Sequence, residues 1–161
     1  MVVTSSDAAN ATLPTTYTCD GEAKSPPVAW RGAPSGTAGF AMLMSTVPSP
    51  GTTKYNWILY NIPAGTTSLA AGASAGTFGF ADDGGGLSYA APCSQGPGLK
   101  QYTFTVYALS AAPNLSGLAP NQVTGATLTS ALSAVTLASA TLTRSEEHTS
   151  ELQSRGLISY A

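Results

Sequence analysis

Gln101-Tyr-Thr-Phe-Thr-Val-Tyr-Ala-Leu109 settles the fold class. Tyr102, Phe104, Val106 and Ala108 fall on one face of an extended chain, and Thr103, Thr105 and Tyr107 fall on the other, which is the period-two pattern of a β-strand. Two further runs read the same way, Gly39-Phe-Ala-Met-Leu-Met-Ser-Thr46 and Tyr55-Asn-Trp-Ile-Leu-Tyr-Asn-Ile62, and both are apolar enough to be buried on two sides. Pro, Gly and Ser clusters separate these runs throughout the chain. Helical spacing occurs only from Asn121 to about Ala134, where Leu128, Ala131, Leu132 and Val135 repeat at three and four after Pro120, and strand character returns over Thr136–Leu142. The expected fold is mostly β: an antiparallel sandwich of two packed sheets with minor helix near the C-terminal part.

With 161 residues the chain supports one domain that hides roughly 68–70% of its unfolded surface. Charged residues make up 9% of it against about 25% in an average domain, and 43% is hydrophobic, so it is neither an acidic disordered segment nor a basic nucleic-acid binder. The formal charge is −2 with no basic stripe, which excludes phosphate-backbone recognition. No run of about 18 apolar residues marks a membrane span. The opening Met1-Val-Val-Thr-Ser-Ser6 lacks the zones of a signal peptide, so a leader for export would have to lie outside this sequence.

Composition breaks at Arg144. The 18 residues to Ala161 read RSEEHTSELQSRGLISYA and hold three Glu, two Arg and the only His of an otherwise Ala-, Gly-, Ser- and Thr-rich chain. They resemble the translation of a common sequencing adapter, so the chain is expected to divide into a domain over 1–143 and a non-native tail over 144–161 lying beyond the last strand. Without the tail, Lys24, Arg31, Lys54 and Lys100 face Asp7, Asp20, Glu22, Asp82 and Asp83, and no histidine remains. Histidine-dependent nucleophilic catalysis and histidine-based metal sites are thereby excluded from the domain. Neither a base nor an activating environment accompanies Ser45, Ser49 or Cys93, so no catalytic residue, cofactor or metal is expected. Asp82-Asp83-Gly84-Gly85-Gly86 lacks the Lys-Ser/Thr of a phosphate loop and the regular oxygen donors of a calcium loop, and reads as a mobile turn. Cys19 and Cys93 are too far apart for a redox pair and stand either as a structural disulfide or as two buried thiols.

Taken together, Tyr17-Thr-Cys-Asp-Gly21, Ser25-Pro-Pro-Val-Ala-Trp30, Gly32-Ala-Pro34 with Gly36-Thr37, Trp57-Ile-Leu-Tyr-Asn-Ile-Pro-Ala64, Tyr89 with Pro92-Cys93, and Tyr102–Leu109 resemble the phosphatidylethanolamine-binding proteins, in particular the bacterial Raf-kinase-inhibitor-like branch. The resemblance covers Thr4 to about Leu142. It implies a β-sandwich with a small anion-accepting pocket at one end, no settled catalysis, and Cys19 and Cys93 close enough to bridge. Departures fall on the pocket. Where the family has Asp-Pro-Asp-x-Pro this chain has Thr46-Val-Pro-Ser-Pro50, where it has His before an aromatic residue the chain has Asn56, and where it has Gly-x-His-Arg-Tyr the chain has Gly98-Leu-Lys-Gln-Tyr102. The residues carried over as ligand contacts are Thr46, Asn56, Tyr89, Lys100 and Tyr102, which offer fixed hydrogen bonds in place of titratable ones.

The expected function is a non-catalytic module, periplasmic or extracellular, that binds a small anion or polar head group and is compatible with a homodimer. Two alternatives stand beside it: an interaction or structural domain of an exported protein with a decayed pocket, and an inhibitor of a hydrolase or protease acting through a surface loop.

Overall fold

The computed structural model describes residues 1–5, 12–47, 52–93 and 99–147. Pro48, Ser49, Pro50, Gly98, Asp7 and the tail from His148 onward, all of which entered the sequence reading, lie outside the described residues.

Eight strands among the described residues form two antiparallel sheets. The smaller has the order β1-β2-β5, with β1 Val2–Thr4, β2 Val28–Arg31 and β5 Ser68–Leu69. The larger has the order β6-β4-β3-β7-β8, with β3 Gly39–Thr46, β4 Lys54–Pro63, β6 Thr77–Phe78, β7 Leu99–Leu109 and β8 Thr136–Glu147. Among the described residues a single α-helix, α1 Gly125–Leu132, opens at Thr124, whose side chain accepts from the Thr127 backbone N–H. The mostly β sandwich expected from the alternation is therefore the fold, and the helix occupies the heart of the 121–134 window.

Alternation along β3 and β4 explains how one sheet serves two cores. Phe40, Met42 and Met44, with Trp57 and Leu59, face the smaller sheet and pack with Val3, Val28, Trp30, Phe104 and Val106. Ala41, Leu43, Ile58 and Tyr60 face the opposite way and meet Val123, Leu128 and Leu132 from the helical side. Strands buried on both faces must be apolar at every position, which is why these two runs lack clean polar alternation.

The β3–β4 register slips twice. Phe40 pairs with Ile62 but Met42 with Leu59, and Met44 pairs with Trp57 but Ser45 with Tyr55. Each slip puts an extra residue on β4, the geometry of a β-bulge. Asn61, with φ of 56°, lies in the first; Asn56 is the extra residue of the second.

Two expectations need correction. The last strand does not close at Leu142: β8 runs to Glu147, pairing Arg144 with Tyr102 and Glu146 with Lys100. β7 begins at Leu99, two residues before the Gln101 expected from alternation, so its backbone offers partners to the incoming chain whatever side chains that chain carries. The Leu13 N–H also donates to the Ser145 carbonyl at 2.8 Å, so the first residues of the foreign-looking segment lie within the sheet. Nor is Asp82–Gly86 an untethered turn: Ala81 and Gly86 exchange backbone hydrogen bonds of 2.7 and 3.1 Å across it, and the Asp83 N–H reaches the Tyr55 carbonyl.

Candidate functional site

The bulge in β4 is the origin of the site. As the unpaired residue, Asn56 is released from the sheet's hydrogen-bond ladder, and its carbonyl accepts from the Ala90 N–H at 2.7 Å. Its side-chain Nδ2 returns a bond to the Ala90 carbonyl at 3.0 Å and gives a second to Asp83 Oδ2 at 3.0 Å. Both amide hydrogens are thus committed, which fixes which amide atom is the oxygen. That oxygen, Oδ1, is buried with no partner, in a residue with no exposed surface.

Asp83 reaches Asn56 because of the glycines that follow it. Gly84 and Gly86 have φ of 99° and 62°, in the left-handed region, and a Cβ on Gly85 would lie 2.8 Å from the Ala90 Cβ. Asp82 holds the neighbouring backbone, accepting from the Tyr55 N–H at 2.8 Å. Two carboxylates read as belonging to a plain turn therefore position the site, and the triple glycine was the signal for a close approach.

Tyr89 stands over this corner. Its ring packs edge-on against Trp57 at a centroid distance of 5.3 Å, and its hydroxyl donates to the Tyr17 carbonyl at 2.8 Å. Burial, and after it the fields of Tyr102, Glu146 and Tyr17, pushes its ionisation well above the usual tyrosine range. Tyr102 is 4% exposed and opposite Thr46 in the β3–β7 ladder. Its ionisation is also raised, by burial first and then by the carboxylates of Glu146 and Asp83. Both phenols remain neutral hydrogen-bonding groups across the physiological range.

Of the five residues carried over as ligand contacts, Asn56, Tyr89, Tyr102 and Thr46 gather at this end of β3, β4 and β7. Lys100 stands two residues before Tyr102 on the same strand face, half-buried. Their chemical capacities are not alike. The Thr46 hydroxyl donates to the Gln101 carbonyl at 2.9 Å, and Asn56 has spent both amide hydrogens, so toward a ligand these two residues accept. Within the expected set, donation to an anion falls to Tyr102 and Lys100. Asp83 and Glu146, which were not in that set, bring negative charge to the same corner.

Cys19 and Cys93 form a disulfide with Cα atoms 5.3 Å apart, and the Cys19 N–H donates to the Pro92 carbonyl at 3.0 Å. The bridge ties the segment that supplies the Tyr17 carbonyl to the segment that carries Tyr89. Elsewhere, a groove of about 350 Å³ runs along the small sheet between Thr4, Pro27, Val28 and Leu69, and one of about 210 Å³ lies by Phe40, Ile62 and Pro113. Among the described residues no three His, Cys, Asp or Glu side chains gather as a metal site, and no helix is long and apolar enough to cross a membrane.

A disulfide-tied β-sandwich with polar residues collected at one end of its large sheet defines a class of protein, and sequence comparison says which. The phosphatidylethanolamine-binding protein family matches residues 3–145, and the chain belongs to that family. A UPF0098 protein of Methanothermobacter thermautotrophicus is 34% identical over 103 residues, 60% of this chain and 68% of that one. LppC of Mycobacterium tuberculosis, named as a lipoprotein, is 33% identical over 107 residues, 65% of this chain and 53% of its own length. The chain thus spans between about half and two thirds of these curated relatives. Escherichia coli YbcL, described as a member of the mammalian family, superposes with a TM-score of 0.76 at 26% identity, covering 90% of this chain and 96% of YbcL.

Proposed function

We propose that this protein is a non-catalytic binding module for a small polar ligand that carries both a hydrogen-bond donor and an anionic group, as a phosphorylated amino-alcohol head group does. The observation that carries the reading is Asn56 Oδ1, an acceptor fixed in orientation, fully buried and without a partner. A buried acceptor left unsatisfied costs about 1–3 kcal/mol, so its persistence favours an external donor. Asp83 beside it favours a donor that is positively charged. At the other side of the site Lys100 and Tyr102 suit the anionic group.

Family membership supports binding as the class of function, and the absence of histidine from residues 1–143 argues against acid-base chemistry at this site. Export is part of the proposal. It is supported by the disulfide, which persists in oxidising compartments, and by the lipoprotein name of one relative.

Titration of phosphoethanolamine, phosphate and acetate by NMR between about pH 5.5 and 8, the interval in which a histidine would switch, tests the reading. Saturable shifts at Asn56, Ala90 and Tyr102 are expected, with phosphoethanolamine the tightest and an affinity nearly constant with pH once ligand ionisation is corrected for. Neutral hydrogen bonds contribute about 0.5–1.5 kcal/mol each, which places binding at millimolar to high micromolar, roughly −4 to −6 kcal/mol. Saturable shifts that map elsewhere, or none at all, would overturn it.

A further inference from the structure

Cys19 and Cys93 are both exposed, and both lie outside the two sheets. Cys19 follows the 3-10 turn Thr15–Tyr17, and Cys93 ends the described stretch 79–93 that leads from β6 toward β7. Their bridge therefore fastens one irregular segment to another. Both segments belong to the polar corner. Two residues before Cys19, the Tyr17 carbonyl accepts from the Tyr89 hydroxyl at 2.8 Å, and three residues before Cys93, Ala90 exchanges hydrogen bonds with the backbone carbonyl and side-chain amide of Asn56. Apart from the bridge, the 89–93 segment is held here by these bonds, by the Cys19 N–H to Pro92 carbonyl bond, and by the edge-on contact of Tyr89 with Trp57. Neutral hydrogen bonds contribute about 0.5–1.5 kcal/mol each, so a segment fastened by a few of them opens far more readily than a packed sheet.

We propose that the Cys19–Cys93 disulfide is a redox gate on the ligand site, which binds when the bridge is closed and loses affinity when a thiol reductant opens it. The inference rests on the binding reading above and specifies how that site is regulated. Closure proceeds by exchange with a small disulfide such as oxidised glutathione. One cysteine thiolate attacks the oxidant's S–S bond, which breaks to release one thiol and leave a mixed disulfide; the second cysteine thiolate then attacks the protein sulfur of that mixed disulfide and expels the other thiol. The protein gives up two electrons and two protons, and the oxidant takes them. With both cysteines exposed, a dithiol runs the same exchange backwards. Neither cysteine belongs to either apolar core, so opening the bridge loosens the corner that orients Asn56 and Tyr89 and leaves the sheets in place. A chain made under reducing conditions thus carries a slack site, and binding begins once it reaches an oxidising compartment.

The test titrates the full chain with phosphoethanolamine by NMR, oxidised and in excess dithiothreitol, beside a double variant with Cys19→Ser and Cys93→Ser. Asn56 and Ala90 report on the corner, and Val106 and Leu128 report on the two cores. The reduced chain and the double variant should keep the core resonances of the oxidised chain and bind at least about tenfold more weakly, since a corner closed about a tenth of the time lowers the apparent affinity by that factor. By linkage, saturating phosphoethanolamine should raise the ratio of oxidised to reduced chain in a glutathione buffer by the same factor, a midpoint lower by about 30 mV. Equal affinity in the two redox states would overturn the gate and leave the binding site standing. Loss of the core resonances on reduction would also overturn it, because the bridge would then support the whole domain. No saturable shift at Asn56 or Ala90 in the oxidised chain would overturn both gate and site.

Discussion

Midway along β3, β4 and β7, Met42, Leu59, Phe104 and Val106 meet other apolar side chains, whereas one end of the same three strands gathers Thr46, Asn56 and Tyr102. In the middle the contacts are many and weak, and energy follows area and packing. At the end each polar group depends on one or two named partners, and its removal leaves a partner unsatisfied. Among the described residues, Asn56 Oδ1, Trp57 Nε1 and Arg144 Nε are buried without partners at this end, and Trp30 Nε1 is so in the small sheet. Of these, Asn56 Oδ1 is the one whose orientation is fixed by two hydrogen bonds of its own amide, which makes it the acceptor a ligand would meet.

Four substitutions and one bond removal would break or sharpen the contrast. Phe104→Ala, at 1% exposure in the apolar middle, should cost about 3–5 kcal/mol in denaturant unfolding; a loss near 1 kcal/mol would mean that the middle is not the stabilising region. Replacing Cys19 and Cys93 together by Ser removes a link between residues 74 apart. It should cost about 2–4 kcal/mol and lower the thermal midpoint, while two titratable thiols in the unreduced parent would show that no such link forms. Asn56→Leu leaves the Ala90 carbonyl and Asp83 without their donor and should cost about 1–3 kcal/mol together with all ligand shifts.

Tyr89→Phe removes only the bond to the Tyr17 carbonyl, about 0.5–1.5 kcal/mol. It has a pH signature as well. Because Tyr89 and Tyr102 ionise above their ordinary value of 10 in the folded state, their contribution is fully present below about pH 10 and is lost as pH rises beyond it. The parent should lose stability on that alkaline side, and Tyr89→Phe should lose less; a flat alkaline limb would contradict the burial assigned to these phenols. Last, Lys24→Ala breaks an exposed 3.3 Å pair with Glu22 and should change stability by no more than about 0.5 kcal/mol.

Sequence alone carried the architecture because period-two alternation over Gln101–Leu109 and the unbroken apolar runs of β3 and β4 are direct consequences of which faces are covered. It also picked out Asn56, Tyr89 and Tyr102, through their positions in family-like motifs. The bulge that turns Asn56 out of the ladder was not legible, since a one-residue slip in pairing depends on the partner strand and leaves no local pattern. Asp83 was passed over because a loop side chain becomes a site residue only through where its loop docks. Glu146 was set aside because its segment breaks in composition and resembles a translated adapter, and neither observation says whether a neighbouring strand has backbone groups left to pair.

The central claim is that the polar end of the large sheet receives a ligand at Asn56, and a crystal soaked with phosphoethanolamine tests it most directly. The account predicts an ordered molecule with its donor group about 2.7–3.2 Å from Asn56 Oδ1 and its phosphate toward Lys100 and Tyr102. A molecule ordered instead in the groove between Thr4, Pro27, Val28 and Leu69, with Asn56 Oδ1 still lacking a donor, would contradict it.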